Sequence, residues 1–146
     1  MRTELYIDGK WVKGSSTIPV YDPADGSVIA DVHLANDDLC EAAITAAHNA
    51  QKEWAKTTPR YRAEILRKAY ELMISETEII ATLISKENGK AMPDARGEVA
   101  YAAEFFRWFS EETVRVEGDF RKSPSGDKRI LVTHQPIGLS LLITPW

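Results

Sequence analysis

Side chains that could carry covalent or metal chemistry are few in this sequence, and their spacing is unfavourable. Cys40 is the one cysteine, and it lies in an alanine-rich stretch with no glycine-rich turn and no histidine close by. A reactive thiolate needs an electropositive and partly open setting, so Cys40 is expected to be an inert structural residue. His33, His48 and His134 lack the spacing of metal ligands, and surface or packing roles are expected for all three. Neither a nucleophile nor a transition-metal centre is therefore predicted.

A dense aromatic cluster is the strongest local sign of a binding site. Phe105, Phe106, Trp108 and Phe109 fall within one stretch whose apolar periodicity indicates a helix. Aromatic rings at this spacing cannot all face one core. One or two of them could line a pocket, although ordinary packing is the more frequent role. No glycine-rich phosphate-binding pattern accompanies the cluster.

The last residues of the sequence combine an apolar strand with a ligand-type loop. Residues 139–143 resemble a buried parallel strand, which normally has partners on both sides. Thr144, Pro145 and Trp146 follow it, at the position where ligands bind in open α/β sheets. Because a domain rarely stops at its own ligand loop, we expect the chain to be truncated here.

Strand and helix signals place these candidate residues in a defined order. Turn chemistry at Asp8-Gly9 and at 22–26 predicts two strand pairs. From Asn36 onward the apolar period becomes that of helices, and a strand pattern returns near the end. The predicted elements are strands at 5–7, 11–12, 18–21 and 28–32, helices beginning near 37, 59, 76 and 94, and strands at 130–135 and 139–143.

Local signals also predict how each helix begins and ends. Side-chain oxygens at a helix start accept bonds from free N–H groups, and glycine at a helix end takes the left-handed conformation. The predicted caps are Asn36 or Asp37 for the first helix, Thr58 with Pro59 for the second, a Ser75/Glu78 capping box and Gly89 for the third, and Gly118 for the fourth. The fourth helix is expected over 94–117, with Phe106, Phe109 and Val116 on its buried stripe.

Composition narrows the class of protein. The 146 residues carry a net charge of −4 without a basic cluster, which argues against a nucleic-acid partner. A single cysteine allows no intramolecular disulfide, which fits a reducing compartment. Neither a signal peptide nor a stretch long enough for a transmembrane helix is found, so a cytoplasmic protein with no membrane partner is expected.

Several short stretches, taken in order, resemble the aldehyde dehydrogenase family. Each match is modest alone, but the ordered set spans the whole sequence. The matching stretches are YIDGKW at 6–11, VYDPADG at 20–26, RAEILRK at 62–68, ENGK at 87–90, QPIG at 135–138 and ITPW at 143–146. Residues 97–119 resemble the succinate-semialdehyde branch of that family most closely.

The resemblance implies an α/β fold of which these residues form only the first part. Residues 1–146 would be a partial, Rossmann-like cofactor-binding domain with small strand pairs, four helices and the start of the oligomerisation and parallel sheets. The oligomerisation segment would begin at 120–136, and the whole enzyme would be a homo-oligomer, either a dimer or a tetramer.

The resemblance also implies roles for individual residues. Ile143, Thr144, Pro145 and Trp146 would contact the nicotinamide side of NAD or NADP. Phe105, Phe106 and Phe109 would lie on the helix that helps to form the substrate tunnel. Backbone carbonyls near Val20 and Glu87 would bind a monovalent cation.

The resemblance implies an enzyme that oxidises succinate semialdehyde to succinate through a cysteine thioester, with a glutamate as general base. Both catalytic residues would follow Trp146, so this chain itself is expected to be inactive. Two alternatives stay open: a non-catalytic product that binds sister subunits, and a parent enzyme for another short aldehyde such as glutarate semialdehyde.

Overall fold

Four helices and three antiparallel strand pairs make up the structure, a computed structural model that describes residues 1–144. The mixed helix and strand architecture confirms the predicted class. In chain order the elements are β1 (Leu5–Ile7), β2 (Lys10–Val12), β3 (Ser16–Tyr21), β4 (Val28–Leu34), α1 (Asp37–Trp54), α2 (Pro59–Ser75), α3 (Thr77–Asn88), α4 (Met92–Glu112), a 3₁₀ turn (Thr113–Arg115), β5 (Asp119–Lys122) and β6 (Arg129–Val132).

Turn residues determine the first two strand pairs, as predicted. Asp8 and Gly9 both have positive φ, 51° and 74°, which is the backbone of the tight turn that joins β1 to β2. Between β3 and β4, the Asp22 carboxylate accepts a hydrogen bond from the Ala24 N–H at 2.9 Å. These local bonds hold the two strands in antiparallel register, from Ser16 opposite Leu34 onward.

Three of the predicted helix caps are confirmed. The Asn36 side chain accepts a hydrogen bond from the Leu39 N–H, and the Thr58 hydroxyl accepts one from the Tyr61 N–H. Gly89 ends α3 with φ 75°. Each cap satisfies a backbone group that a helix end leaves unpaired.

The capping box predicted at Ser75 and Glu78 is wrong. α2 extends to Ser75, whose hydroxyl donates to the Leu72 carbonyl at 2.9 Å, and α3 begins one residue after Glu76 without a side-chain cap. The Glu78 carboxylate instead pairs with Arg96 of α4. A tertiary ion pair has taken the place of the local cap.

The end of α4 also differs from the prediction. α4 stops at Glu112, and Gly118 lies immediately before β5 instead of capping the helix. A Cβ atom on Gly118 would lie 2.1 Å from the Val132 carbonyl oxygen, so glycine is required there for close strand approach. Val116, predicted on the buried stripe, is exposed because it follows the last helical turn.

Small side chains form the core. α4 packs against both α2 and α3, and small residues allow the helices to approach closely. The fully buried apolar residues of the described chain are Ala63, Ala81, Ala95, Val99 and Ala103, with Ile80, Ile84 and Met92 packed around them. Many larger apolar side chains consequently remain on the surface.

The strand predicted over 139–143 is not formed, so the expected start of a parallel sheet is absent from the described residues. Leu141, Leu142 and Ile143 are 85%, 84% and 85% exposed. A buried parallel strand requires neighbours, and residues 1–144 provide none for this segment. β6 is likewise shorter than the predicted strand over 130–135, since its one partner among the described residues, β5, begins at Asp119, opposite Val132. Within residues 1–144, no helix has the length and hydropathy needed to cross a membrane.

Candidate functional site

The three candidate tunnel residues lie on α4 but differ in exposure. Phe106 is 37% exposed, whereas Phe105 and Phe109 are 49% and 54% exposed. Phe106 follows the buried Ala103 by three positions and precedes the buried Ser110 by four, so it borders the face that packs on α2 and α3. The predicted buried stripe is therefore only partly correct, because Phe106 lies at its edge and Phe109 outside it.

Phe105 and Phe109 form an outward aromatic surface with Tyr101. The rings of Tyr101 and Phe105 meet edge to face, with centroids 5.1 Å apart. Residues four positions apart lie one above the other on a helix, so Phe109 continues this row. The arrangement offers an apolar surface that could form one wall of a substrate passage.

Two ion pairs hold α4 in position, one to α3 and one to the segment that joins α3 to α4. Arg96 donates to both carboxylate oxygens of Glu78, at 2.7 and 2.9 Å, and Lys90 pairs with Glu98. The hydrogen bonds from Arg96 hold the pKa of the Glu78 carboxyl below its ordinary value of 4.5 and raise the pKa of Arg96. α3 and α4 are thus joined beside the small-residue core that supports the phenylalanines.

The candidate cofactor residues are only partly described. Ile143 and Thr144 are exposed in the extended segment after β6, while Pro145 and Trp146 lie outside the described residues. The exposed Ile143 side chain and the Thr144 hydroxyl are compatible with an apolar ring and a polar carboxamide, the two features of a nicotinamide. Upstream, Gly138, Leu139 and Ser140 line a groove with Trp54 and Tyr61.

The structure brings the elements of the candidate cation site close together. Val20 lies in β3 at a register shift, and Glu87 lies in the last turn of α3. Beyond α3, a Cβ atom on Gly89 would lie 2.9 Å from the Pro23 side chain, so the helix end contacts the turn after β3. Carbonyls in a last helical turn carry partial negative charge, which suits a cation. The described residues contain no cluster of three or more His, Cys, Asp or Glu side chains able to hold a metal ion.

Sequence reasoning missed one polar residue in a concave site. Arg62 of α2 lines a groove of about 1040 Å³ that also includes Trp54, Phe120 and residues 133–138. The available signal was the spacing of Arg62, which lies four residues before Leu66 and seven before Ala69, on the apolar stripe of α2. The groove contains none of the three candidate phenylalanines among the described residues.

The sequence profile of the aldehyde dehydrogenase family matches residues 11–146. The chain belongs to the aldehyde dehydrogenase family. This membership confirms the resemblance, and it accounts for the order of the strand pairs and helices described above.

Relatives within the aldehyde dehydrogenase family support a narrower comparison. A succinate-semialdehyde dehydrogenase of Paenarthrobacter nicotinovorans is 51% identical over 119 residues, covering 82% of this chain and 26% of that protein. A 3-sulfolactaldehyde dehydrogenase of Pseudomonas putida is 40% identical over 148 residues, covering 100% of this chain and 30% of that protein. The chain thus spans about a quarter to a third of the length of these relatives.

Among solved structures, a succinate-semialdehyde dehydrogenase from Burkholderia pseudomallei matches with a TM-score of 0.88 and 39% identity. The match covers 94% of this chain and 29% of that one. The fold described here therefore corresponds to a segment of an aldehyde dehydrogenase.

Proposed function

We propose that the chain forms the N-terminal part of an NAD(P)-dependent aldehyde dehydrogenase that oxidises succinate semialdehyde to succinate. The observation that carries this proposal is the match to succinate-semialdehyde dehydrogenases. One relative is 51% identical over 82% of the chain, and one solved structure matches 94% of the chain with a TM-score of 0.88. Fold alone would not specify a substrate, but the sequence of residues 97–119 also resembles this branch.

In this proposal the chain contacts the cofactor and helps to form the substrate tunnel, but it supplies no reacting group. Cys40 is exposed near the start of α1, in an alanine-rich stretch without a glycine-rich turn or a histidine close by in the sequence. NAD(P)⁺, when bound, accepts a hydride from the aldehyde carbon. The catalytic cysteine and glutamate belong to residues beyond this chain, and the reaction passes through a thioester on that cysteine.

Each candidate residue has a defined task in the proposed enzyme. Phe105, Phe106 and Phe109 form an apolar wall that excludes water from the aldehyde. Residues 143–146 border the nicotinamide, and the backbone carbonyls of Val20 and Glu87 bind a monovalent cation that stabilises the α3 end.

A second substrate is favoured by the relative that is named for 3-sulfolactaldehyde. Sulfolactaldehyde and succinate semialdehyde are both short aldehydes with an anionic group at the far end. Glutarate semialdehyde shares this chemistry. The property common to these candidates is therefore the anionic group, and the distance from it to the aldehyde distinguishes them.

Steady-state kinetics on the intact protein that carries this chain tests the proposal. kcat/KM is measured for succinate semialdehyde, glutarate semialdehyde, 3-sulfolactaldehyde and uncharged butanal, each with NAD⁺ and NADP⁺. Charge-assisted hydrogen bonds to the anionic group should favour the best charged substrate over butanal by at least about tenfold. Equal or greater efficiency with butanal would contradict the substrate class.

The proposed assembly is a homo-oligomer that uses the segment at 120–136, which overlaps the β5–β6 pair. The cytoplasmic location expected from the sequence stays a prediction.

The 146-residue polypeptide alone should form no NAD(P)H with succinate semialdehyde. Turnover that disappears in Cys40→Ala would contradict the absence of a reacting group. If the chain alone is inactive and the intact protein is inactive as well, the non-catalytic alternative is favoured.

A further inference from the structure

The groove beside α2 is lined both by a cationic side chain and by a chain segment that makes no backbone hydrogen bond to another described residue. Trp54, Phe120 and Leu131 contribute apolar walls, and Arg62 contributes a guanidinium. Residues 135–138 line the same groove. Four residues, 139–142, separate this stretch from 143–146, the proposed cofactor segment.

Arg62 uses only part of its hydrogen-bonding capacity. Its Nη2 donates to the Thr57 carbonyl oxygen at 3.2 Å, which fixes the guanidinium against the start of α2. Its Nε is buried and has no hydrogen-bond partner among residues 1–144. A buried charged donor without an acceptor is costly, so a nearby oxygen is expected to fill this position.

Residues 134–138, which line the same groove as Arg62, have unused backbone acceptors. Residues 134–138 make no backbone hydrogen bond to another described residue, because β6 ends at Val132. Pro136 lacks an N–H, so a side-chain donor that bonds to the carbonyl groups of this stretch can hold it more readily than an acceptor that bonds to its amides. Arg62 therefore has a donor without an acceptor, and this segment has acceptors without a donor.

We propose that Arg62 is a positioning residue, whose Nε–H donates to a backbone carbonyl of residues 135–138 and so orients the segment that enters the cofactor site. This inference rests on the proposed function for its consequence at the cofactor, although the contact itself does not. Arginine is suited to the role because its planar fork can serve the Thr57 carbonyl and the segment together, whereas a lysine ammonium has no such fixed geometry.

The test uses the intact protein with Arg62→Lys, which keeps the charge and much of the stem. Hydrogen exchange is measured at the amides of residues 134–140 other than Pro136, together with KM for NAD⁺ or NADP⁺ and kcat. Arg67→Lys is the matched control on the same helix, since Arg67 is exposed and pairs with Glu71. Thr58→Ala is a second control, because it weakens α2 without touching the guanidinium.

In Arg62→Lys, exchange at 134–140 should rise at least about tenfold while α3 and α4 are unchanged. KM for the cofactor should rise about fivefold or more, with kcat within about twofold of wild type. Neither control should show this local increase, and Thr58→Ala should only lower the melting temperature.

Three results would overturn the proposal. The first is unchanged exchange at 134–140, and the second is an increase spread evenly over α2 and equal to that of Thr58→Ala. The third is a local increase in exchange with an unchanged cofactor KM, which would remove the link to the cofactor. Failure of wild-type protein to oxidise any aldehyde would refute the proposed function separately, and exchange would still decide whether Arg62 holds the segment.

Discussion

At the scale of single residues, two glycines show how backbone conformation decides the effect of a methyl group. Gly89 has φ 75°, and a Cβ atom there would lie 2.9 Å from the Pro23 side chain. Gly97 lies inside α4, and a Cβ atom there would meet nothing within 4 Å. The same substitution is therefore expected to act in opposite directions at the two positions.

Gly89→Ala should lower the free energy of unfolding by about 1–2 kcal/mol, because alanine is strained in the left-handed region. Gly97→Ala should raise it by about 0.5–1 kcal/mol, since alanine loses less backbone entropy than glycine in a helix. Urea denaturation of the intact protein, as wild type and with each substitution, measures both effects. A destabilised Gly97→Ala would mean that this helix face is covered in the intact protein.

The Glu78–Arg96 pair gives a prediction about pH at the same scale. The pKa of Glu78 is lowered in the folded state by its hydrogen bonds from Arg96. A depressed folded pKa contributes stability above the ordinary value of 4.5, and this stability is lost as pH falls through the folded pKa. Glu78→Gln should therefore lower the melting temperature at pH 7 and reduce the loss of stability below the ordinary pKa.

The effect should be small, because both side chains are solvent-exposed and screened. Glu71→Gln is the matched control, since Glu71 pairs with Arg67 inside one helix and does not join two helices. Melting curves between acidic and neutral pH compare the variants. Equal pH profiles for Glu78→Gln and Glu71→Gln would show that the tertiary pair contributes nothing specific.

At the scale of elements, two sequences that both predict a helix cap behave differently in the structure. The Thr58 hydroxyl accepts the Tyr61 N–H at 3.2 Å, with Pro59 at the first helical position. The Ser75 hydroxyl only returns to the Leu72 carbonyl, within the preceding helix. Similar sequence signals therefore correspond to different contributions to stability.

Thr58→Ala should destabilise the chain by about 1 kcal/mol, because it leaves a backbone N–H of α2 without its acceptor. Ser75→Ala should change stability by less than about 0.5 kcal/mol, as is usual for a surface substitution. Equilibrium denaturation compares the two. If Ser75→Ala proves as costly as Thr58→Ala, the capping box forms after all.

At the scale of the whole molecule, the amount of uncovered apolar surface is the dominant feature. The fully buried core consists mainly of alanines, while Phe120, Leu131, Leu141, Leu142 and Ile143 are exposed. β5 and β6 form a two-stranded sheet that has no further partner among residues 1–144. Unpaired edges and large apolar patches favour association with other chains.

The 146-residue polypeptide by itself should therefore form oligomers or aggregates. Light scattering at tens of micromolar measures its mass, and a double variant, Leu141→Lys with Ile143→Lys, should reduce the association because it places charge on the exposed segment. Ile79→Lys, a similarly exposed position on α3, serves as the control for added charge elsewhere. A monomeric wild type that unfolds cooperatively would contradict this expectation.

Local chemistry allowed much of the fold to be predicted from the sequence. Asp8-Gly9, Thr58-Pro59 and Gly89 determine turns and helix ends through bonds and φ values within a few residues, so their neighbours in sequence are sufficient. The ordered motifs likewise identified the family, because their order along the chain is itself a property of the sequence. The candidate tunnel residues were placed on the correct helix for the same reason.

Only the tertiary structure decided which surfaces are covered and which polar groups find distant partners. Burial depends on what packs against a helix, which is why Phe109 is exposed although its spacing suited a core position. Glu78 bonds to Arg96, eighteen residues away, and not to its own helix start. Strand formation depends on a partner, and residues 139–143 have none within 1–144. The groove at Arg62 forms where α2, β5, β6 and the following segment come together, and the spacing of residues along the chain does not predict this.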